Sequence, residues 1–276
     1  MQHLLLALSL VLAPVFQASG KPADPELPTP ERIEQATEAL GQAFKKGKTQ
    51  ERLEALEKHG SVNDPKVVDL IAKGLKDKEA AVQLAAVEAL RWMPHPDALG
   101  ELHGTFKRDK KLRKNPALYE AYVWAIGQHG SEASIDLLVD GALASAPRKV
   151  QEARIHALGH IRSKRSVEEL MDLLQKTGRG WRRGGQPMMA EISSSLHVLT
   201  GEDFGRDEET WLDWWRKNEK DFEITASPEG LGKREERAWK RLWTRPEPES
   251  EDAPEGERRR RRRGGEDGPE EGDGEA

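Results

Sequence analysis

The chain has 276 residues, 34% of them charged and 36% apolar, with a formal net charge of −5. That is too polar for one uniform globule and points to a folded body with solvated segments attached. Cysteine is absent, which excludes a disulfide framework, thiol catalysis and thiolate metal sites together.

Residues 1–20 hold no Lys, Arg, Asp or Glu. The apolar run from Leu4 to Phe16 is shorter than the roughly 20 residues needed to span a bilayer. With small residues at Ala18 and Gly20, the stretch reads as an export signal removed before Lys21. A buried apolar N-terminal helix is the alternative. No later segment is apolar enough to cross a membrane, so the mature chain is expected in the periplasm or outside the cell, without an integral membrane segment.

Residues 21–29 are a proline-rich linker. Thr29-Pro30 then supplies a helix cap followed by proline at the first helical position, where its missing N–H costs nothing. Ile33, Ala36, Leu40 and Phe44 follow at helical spacing, and a second helix is expected over Thr49–Lys58. This charged pair, residues 30–62, fits an N-terminal capping unit, since the end of a stacked array needs a polar outer face.

From Asp64 to Leu174 one pattern is written three times: a start signal, an apolar helix, a short connection and an alanine-rich second helix. The first pair opens at Asn63-Asp64-Pro65, with Val67, Val68, Ile71 and Leu75 in one stripe. Val82, Ala85, Ala86, Ala89, Leu90 and Met93 follow in its partner. The second opens at His95-Pro96 and resumes after Asn115-Pro116 with Leu118, Tyr122, Ala125 and Ile126. The third opens near Ser131, with Ile135, Leu138, Val139 and Ala142, and returns through Ala146-Pro147 with Val150, Ala153, Ala157, Leu158 and Ile161.

A fourth pair begins at Ser166, where Ser166 and Glu169 have capping-box spacing. It resumes at Gln186-Pro187 after a glycine- and arginine-rich loop over Thr177–Gly185. The start signals at Asp64, His95, Ser131 and Ser166 step by 31, 36 and 35 residues. Helix pairs at that period, with no strand pattern between them, predict an all-α protein: an α-solenoid of stacked antiparallel helix pairs over residues 63–222.

The repeat region ends in a tryptophan-rich motif. Gly201 is placed to end one helix in the left-handed conformation, Phe204-Gly205 makes a turn, and Asp207 caps a last helix carrying Trp211, Leu212, Trp214 and Trp215. Trp211, Trp214 and Trp215 are read as an aromatic lid over the last repeat, with a ligand-stacking platform as the sharper alternative. Lys233–Trp243, within residues 223–245, is expected to form one more helix with Trp239 and Trp243 a turn apart. It either docks, on the tryptophan lid, or serves as a partner- or membrane-docking segment. Residues 246–276 carry six arginines and twelve acids with almost no apolar residue, and are expected to be disordered.

The alanine-rich helix pairs opened by Asp-Pro or Asn-Pro resemble HEAT repeats, including the shorter type first noted in phycobilin lyases. The ending Leu199-Thr-Gly-Glu-Asp-Phe-Gly-Arg-Asp-Glu-Glu-Thr-Trp-Leu-Asp-Trp-Trp215 looks like the end of many exported bacterial HEAT-repeat proteins. The resemblance covers about residues 28–222. It implies a non-enzymatic scaffold that binds another protein, with no catalytic residues and no cofactor to carry over.

Several polar clusters lie outside that frame. His156 and His160 stand one helical turn apart, a spacing that can place two imidazoles on one metal; a polar helix face is the alternative. Lys107, Arg108, Lys110, Lys111, Arg113 and Lys114 crowd one connection within a pair, and Lys176, Arg179, Arg182 and Arg183 surround Trp181 in a later one. Connections within pairs share an edge of a solenoid, so the two clusters form a candidate ridge for an anionic ligand, solvated loop charge being the alternative. In the tail, Arg258, Arg259, Arg260, Arg261, Arg262 and Arg263 are either a polyanion-binding run or partners for the flanking acids. The scaffold reading therefore carries an alternative, a polyanion-binding module for acidic protein, polysaccharide or nucleic acid. In both, specificity is expected where the repeat pattern is interrupted: at the two basic loops, the tryptophan-rich ending and the tail.

Overall fold

The computed structural model describes residues 27–109, 111–141, 146–180, 188–224 and 231–246, with backbone alone at residues 177–180. Residues 1–20, read above as an export signal, most of the expected linker and nearly all of the charged tail lie outside the described residues. Among the described residues every regular element is helical.

The first helices of the pairs are α1 (Pro30–Lys46), α3 (Pro65–Gly74), α5 (Pro96–Arg108), α7 (Ile135–Val139) and α9 (Lys164–Gly180). Their partners are α2 (Thr49–His59), α4 (Ala80–Arg91), α6 (Pro116–Gln128), α8 (Arg148–His160) and α10 (Met189–Thr200). The expected start signals act as caps. Thr29 Oγ1 accepts from the Arg32 N–H at 3.3 Å, Asp64 Oδ1 from Lys66 at 2.8 Å, His95 Nδ1 from Asp97 at 3.2 Å and Asn115 Oδ1 from Leu118 at 3.2 Å. Each oxygen or ring nitrogen satisfies a backbone donor that the helix cannot pair internally.

Three local expectations are corrected. The fourth pair starts three residues early, because Ser163 Oγ rather than Ser166 accepts the first-turn N–H, from Arg165 at 3.1 Å. Ser166 instead lies inside α9 with its side chain fully buried. The helix also runs on to Gly180, taking in the first four residues of the expected loop at Thr177–Gly185. In the third pair α7 is only five residues long and is preceded by a 3-10 turn over Glu132–Ser134.

Stacking follows from the apolar stripes. First helices lie in one layer and second helices in the other, with Leu40, Ile71, Leu90, Leu102, Ile126, Ile135, Leu158, Leu170 and Leu196 all fully buried between them. The second-helix layer packs through small residues. A Cβ on Gly127 would sit 2.6 Å from the Ala157 Cβ, and one on Gly159 would sit 2.6 Å from the Ser195 Cβ. Only glycine lets α6, α8 and α10 approach this closely, which draws the second helices together on their own side.

Polar contacts fix the edges of the stack. Arg52 near the start of α2 pairs with Asp77 in the α3–α4 connection at 2.5 Å, and Arg113–Asp140 at 2.7 Å links the α5–α6 and α7–α8 connections. On the opposite edge, Ser163 Oγ donates to Glu132 at 2.8 Å and Arg165 pairs with Asp136. Inside the stack the buried Arg154 of α8 donates to Tyr119 Oη at 2.6 Å and to the Asp140 carbonyl at 2.8 Å, tying α8 to α6 and to the connection before it.

The last repeat is closed by α11 (Glu208–Asn218), packed on α9. Gly201 (φ 78°) and Gly205 (φ 52°) take the left-handed backbone that the turn into it requires. Asp207 Oδ1 accepts from the Thr210 N–H at 3.1 Å. Trp211 has no exposed surface and its Nε1 donates to the Gly205 carbonyl at 3.0 Å.

Candidate functional site

One helix remains, and its position defines the site. α12 (Lys233–Trp243) has Glu235 and Glu236 in its first turn and Lys240 and Arg241 in its last, the charge order that its dipole favours. Its apolar content is concentrated in Trp239, Leu242 and Trp243. The tryptophans, four residues apart, lie on one face. They do not rest on the tryptophan lid, which was one expected destination. They rest on the second helices of the repeats.

Trp243 stacks on the His160 ring with centroids 4.0 Å apart and planes inclined by 11°. It also tilts against Trp124 at 5.2 Å. Trp239 meets His156 edge-on at 5.7 Å, and the His156 ring in turn stacks on Trp124 at 5.9 Å. Gly127 and Gly159 leave room for this: a Cβ on them would lie 3.2 Å from Trp243 Cη2 and 2.8 Å from Trp239 Cη2, respectively. Aromatic faces and edges in such arrangements add to the area they bury.

Polar groups fix the direction of the bound helix. The Arg91 guanidinium of α4 donates to the Leu242 carbonyl at 2.8 Å, and the Gln128 amide of α6 to the Trp243 carbonyl at 3.2 Å. These carbonyls end α12 and have no partner within the helix, so a cation and an amide there satisfy both the orphan acceptors and the dipole. At the other end, Glu235 lies 3.2 Å from His197 Nδ1 of α10. Thus α4, α6, α8 and α10 all touch α12. Arg91 also covers the Trp92 ring at 4.5 Å, extending the aromatic face to α4.

The electrostatics of this face are those of a dry surface. Burial pushes the His160 imidazole down to about 4, helped by the Arg162 and Arg91 guanidinium groups. Burial lowers His156 too, against an opposing pull from Glu191 and Glu152. Both rings are neutral at pH 7 and serve as aromatic floor. The metal reading of this pair gains no third ligand: no group of three or more His, Asp or Glu residues suited to a metal occurs among the described residues.

The residues singled out from sequence fall elsewhere. Lys107, Arg108, Lys111, Arg113 and Lys114 are exposed at the α5–α6 connection, and Arg113 pairs with Asp140. Lys176 is exposed near the end of α9 and pairs with Asp172 at 3.5 Å. The Arg113–Asp140 contact joins the α5–α6 connection to the α7–α8 connection. Lys110, Arg182, Arg183, the side chain of Arg179 and the run Arg258–Arg263 lie outside what is described. Trp211 and Trp215 are buried, while Trp214 is half-buried against Phe222 at 5.9 Å.

Sequence reasoning missed this face as a unit, although a signal was present. Stepping back from α8 by 32 and then 36 residues puts His156, Trp124 and Glu88 at one register, Gly159, Gly127 and Arg91 at the next, and His160, Gln128 and Trp92 at a third. Aromatic and polar residues recurring at equivalent outward positions of second helices mark a continuous surface across repeats.

Comparison with known proteins agrees with this architecture. A family model described as HEAT repeats matches residues 37–114 and again 110–185, together more than half of the chain. No curated protein matches the chain. Helix pairs stacked in two layers and the twofold match over their length establish that this chain belongs to the HEAT-repeat family.

Proposed function

We propose that the protein is a non-enzymatic scaffold, exported from the cell interior, that holds another protein on the second-helix face of its solenoid. HEAT repeats generally serve protein interaction, and stacked repeats present one extended surface rather than a reaction centre. The observation that carries the reading is that this face already grips a helix, α12, through an aromatic floor and end-specific hydrogen bonds. It is a helix-in-groove mode of recognition. Residues 1–20 support export by their apolar run and small-residue ending, and the ending at Leu199–Trp215 supports the exported bacterial type of HEAT protein.

Affinity capture with the intact mature protein, at low and at high salt, tests the scaffold. The expected result is one or more proteins retained at 0.5 M salt. Material retained only at low salt, and consisting of nucleic acid or polysaccharide, would overturn the reading in favour of the polyanion-binding alternative, whose attraction is screened by salt. Sequencing of the mature N-terminus tests export, with Lys21 expected as the first residue.

A further inference from the structure

We propose that the second-helix face is a receptor for a partner-protein helix ending in Glu-x-x-x-Trp-x-x-x-Trp, and that α12 is the chain's own exchangeable copy of that helix. The proposal rests on the scaffold reading and names the surface and the chemistry of the partner.

The contacts with α12 are those of a recognition site. Arg91 and Gln128 bind the last two carbonyls of the helix and so select its polarity and its end point. Trp124, His156 and His160 receive two aromatic side chains four residues apart, at a spacing only a helix presents on one face. His197 receives an acid one turn before the first tryptophan. Each feature reads a property of a helix that any chain with the same ending would share.

α12 is also lightly held. Only Trp239 and Trp243 of its eleven residues are buried. Its resolved cation contacts stay within the helix, Lys240 to Glu236 at 2.6 Å and Arg237 to the Lys233 carbonyl at 3.0 Å. A helix this short is marginal when free, so leaving the face means losing its structure as well, and local opening of such an element precedes global unfolding. The fit is incomplete too. Among the described residues, Trp243 Nε1, Gln128 Oε1, Arg91 Nε and His156 Nδ1 are buried without a hydrogen-bond partner, and all four lie where α12 meets the face. Such atoms are costly to leave unpaired. Three of the four, on Arg91, Gln128 and His156, belong to the face itself, and a partner helix with polar side chains at the right positions satisfies them and displaces α12.

A second copy of the chain is the less fitting occupant. Fourteen residues separate Asn218 from Lys233, and α12 reaches its own face across them. The closed monomer therefore leaves no empty face to drive exchange between copies, and the tether gives α12 an effective concentration of order millimolar.

Cutting that tether is the test. A specific protease site is placed within residues 225–230 of the full-length chain, which is folded first and cleaved afterwards. A fluorescent peptide of residues 231–246 is then titrated against cut and uncut protein. The expected result is binding at least tenfold tighter after the cut, several-fold weaker binding of an E235A peptide, and no binding of a W239A/W243A peptide. Equal affinity for cut and uncut chains, binding of the double-alanine peptide, or a cut chain that takes up no peptide would overturn the proposal. So would sedimentation showing a dimer as the bound state of the uncut chain. Any protein captured by the scaffold must be displaced by the native peptide. The two readings fail separately: no captured protein overturns the scaffold reading, whereas a captured protein that the peptide leaves in place overturns this one.

Discussion

Replacing Trp243 by alanine separates the docked helix from the repeat stack. Trp243 is 9% exposed and touches Trp124, His160 and Trp239. A tryptophan buries on the order of 200 Å², and at about 25 cal/mol per Å² its truncation removes roughly 5 kcal/mol. That figure is an upper bound, because the detached helix still shields part of the ring, and large aromatic truncations cost about 3–5 kcal/mol. The remaining anchor, Trp239, is then left to offset the ordering of an eleven-residue helix, which scarcely forms in isolation. W243A should therefore release α12 while leaving the solenoid folded. Hydrogen exchange followed by peptide mass spectrometry reads this directly. Amides of residues 233–243 should lose nearly all protection, whereas those of α6 and α8 keep theirs. Unchanged protection over 233–243 would refute the reasoning, and so would an equal loss throughout α6 and α8, which would make α12 part of the cooperative core.

Acidification should act on the same contact. His160 titrates near 6.5 when free and at about 4 in the docked structure, so the undocked state takes up the proton first. The resulting stability is fully present above about pH 6.5 and is lost as pH falls towards 4. The loss reaches at most about 2 kcal/mol at pH 5, because Arg162, Arg91 and the neighbouring repeats stay beside His160 when α12 leaves. Arg91 and Arg162 oppose the charge on His160, Glu152 and Glu191 favour one on the neighbouring His156, and Glu235 beside His197 is the acid that α12 contributes. Exchange in α12 should quicken between pH 7 and pH 5 relative to α6, and H160F should remove most of that difference. G159A places a methyl 2.6 Å from the Ser195 Cβ and 2.8 Å from Trp239 Cη2. Overpacking of about 1–3 kcal/mol should exceed the helix-propensity gain of about 1 kcal/mol, lowering the melting temperature and loosening α12 together. W211A removes a fully buried ring from the opposite end of the last repeat. A cost of about 3–5 kcal/mol should appear as a lower melting temperature of the whole stack, with α12 protection falling only in step with it.

The frame was legible because its causes are local. Thr29, Asp64, His95 and Asn115 each stand one residue before a proline and each caps a helix. The apolar stripes of the second helices became the core of the stack, and the Gly201, Gly205 and Asp207 signals set the turn into α11 as read. Ser166 shows the limit. Its spacing to Glu169 matches a capping box, but Ser163 lies at the actual turn, and the sequence holds two serines able to do one job. The binding face was less legible for a different reason. His156 and His160 were paired by their own spacing, which suggests a metal, whereas their environment comes from Trp239 and Trp243 some eighty residues later. Specificity was expected in the loops and the tryptophan ending because charge and aromatics cluster there in sequence. The surface that grips α12 lies within the repeats, spread over four helices at one to three residues each. No local pattern marks it until the repeats are aligned and the final helix is laid across them.

The central claim is that proteins are held on the second-helix face. A photo-crosslinking residue placed at Glu88, exposed on α4 beside Arg91, tests it in living cells against the same residue placed at Lys66, exposed on α3 in the other layer. Position 88 should crosslink to α12 of the same chain and to a helical segment of a partner protein, and the partner product should increase in W243A. Position 66 should give neither. A partner that crosslinks from position 66 and not from position 88 would contradict the account.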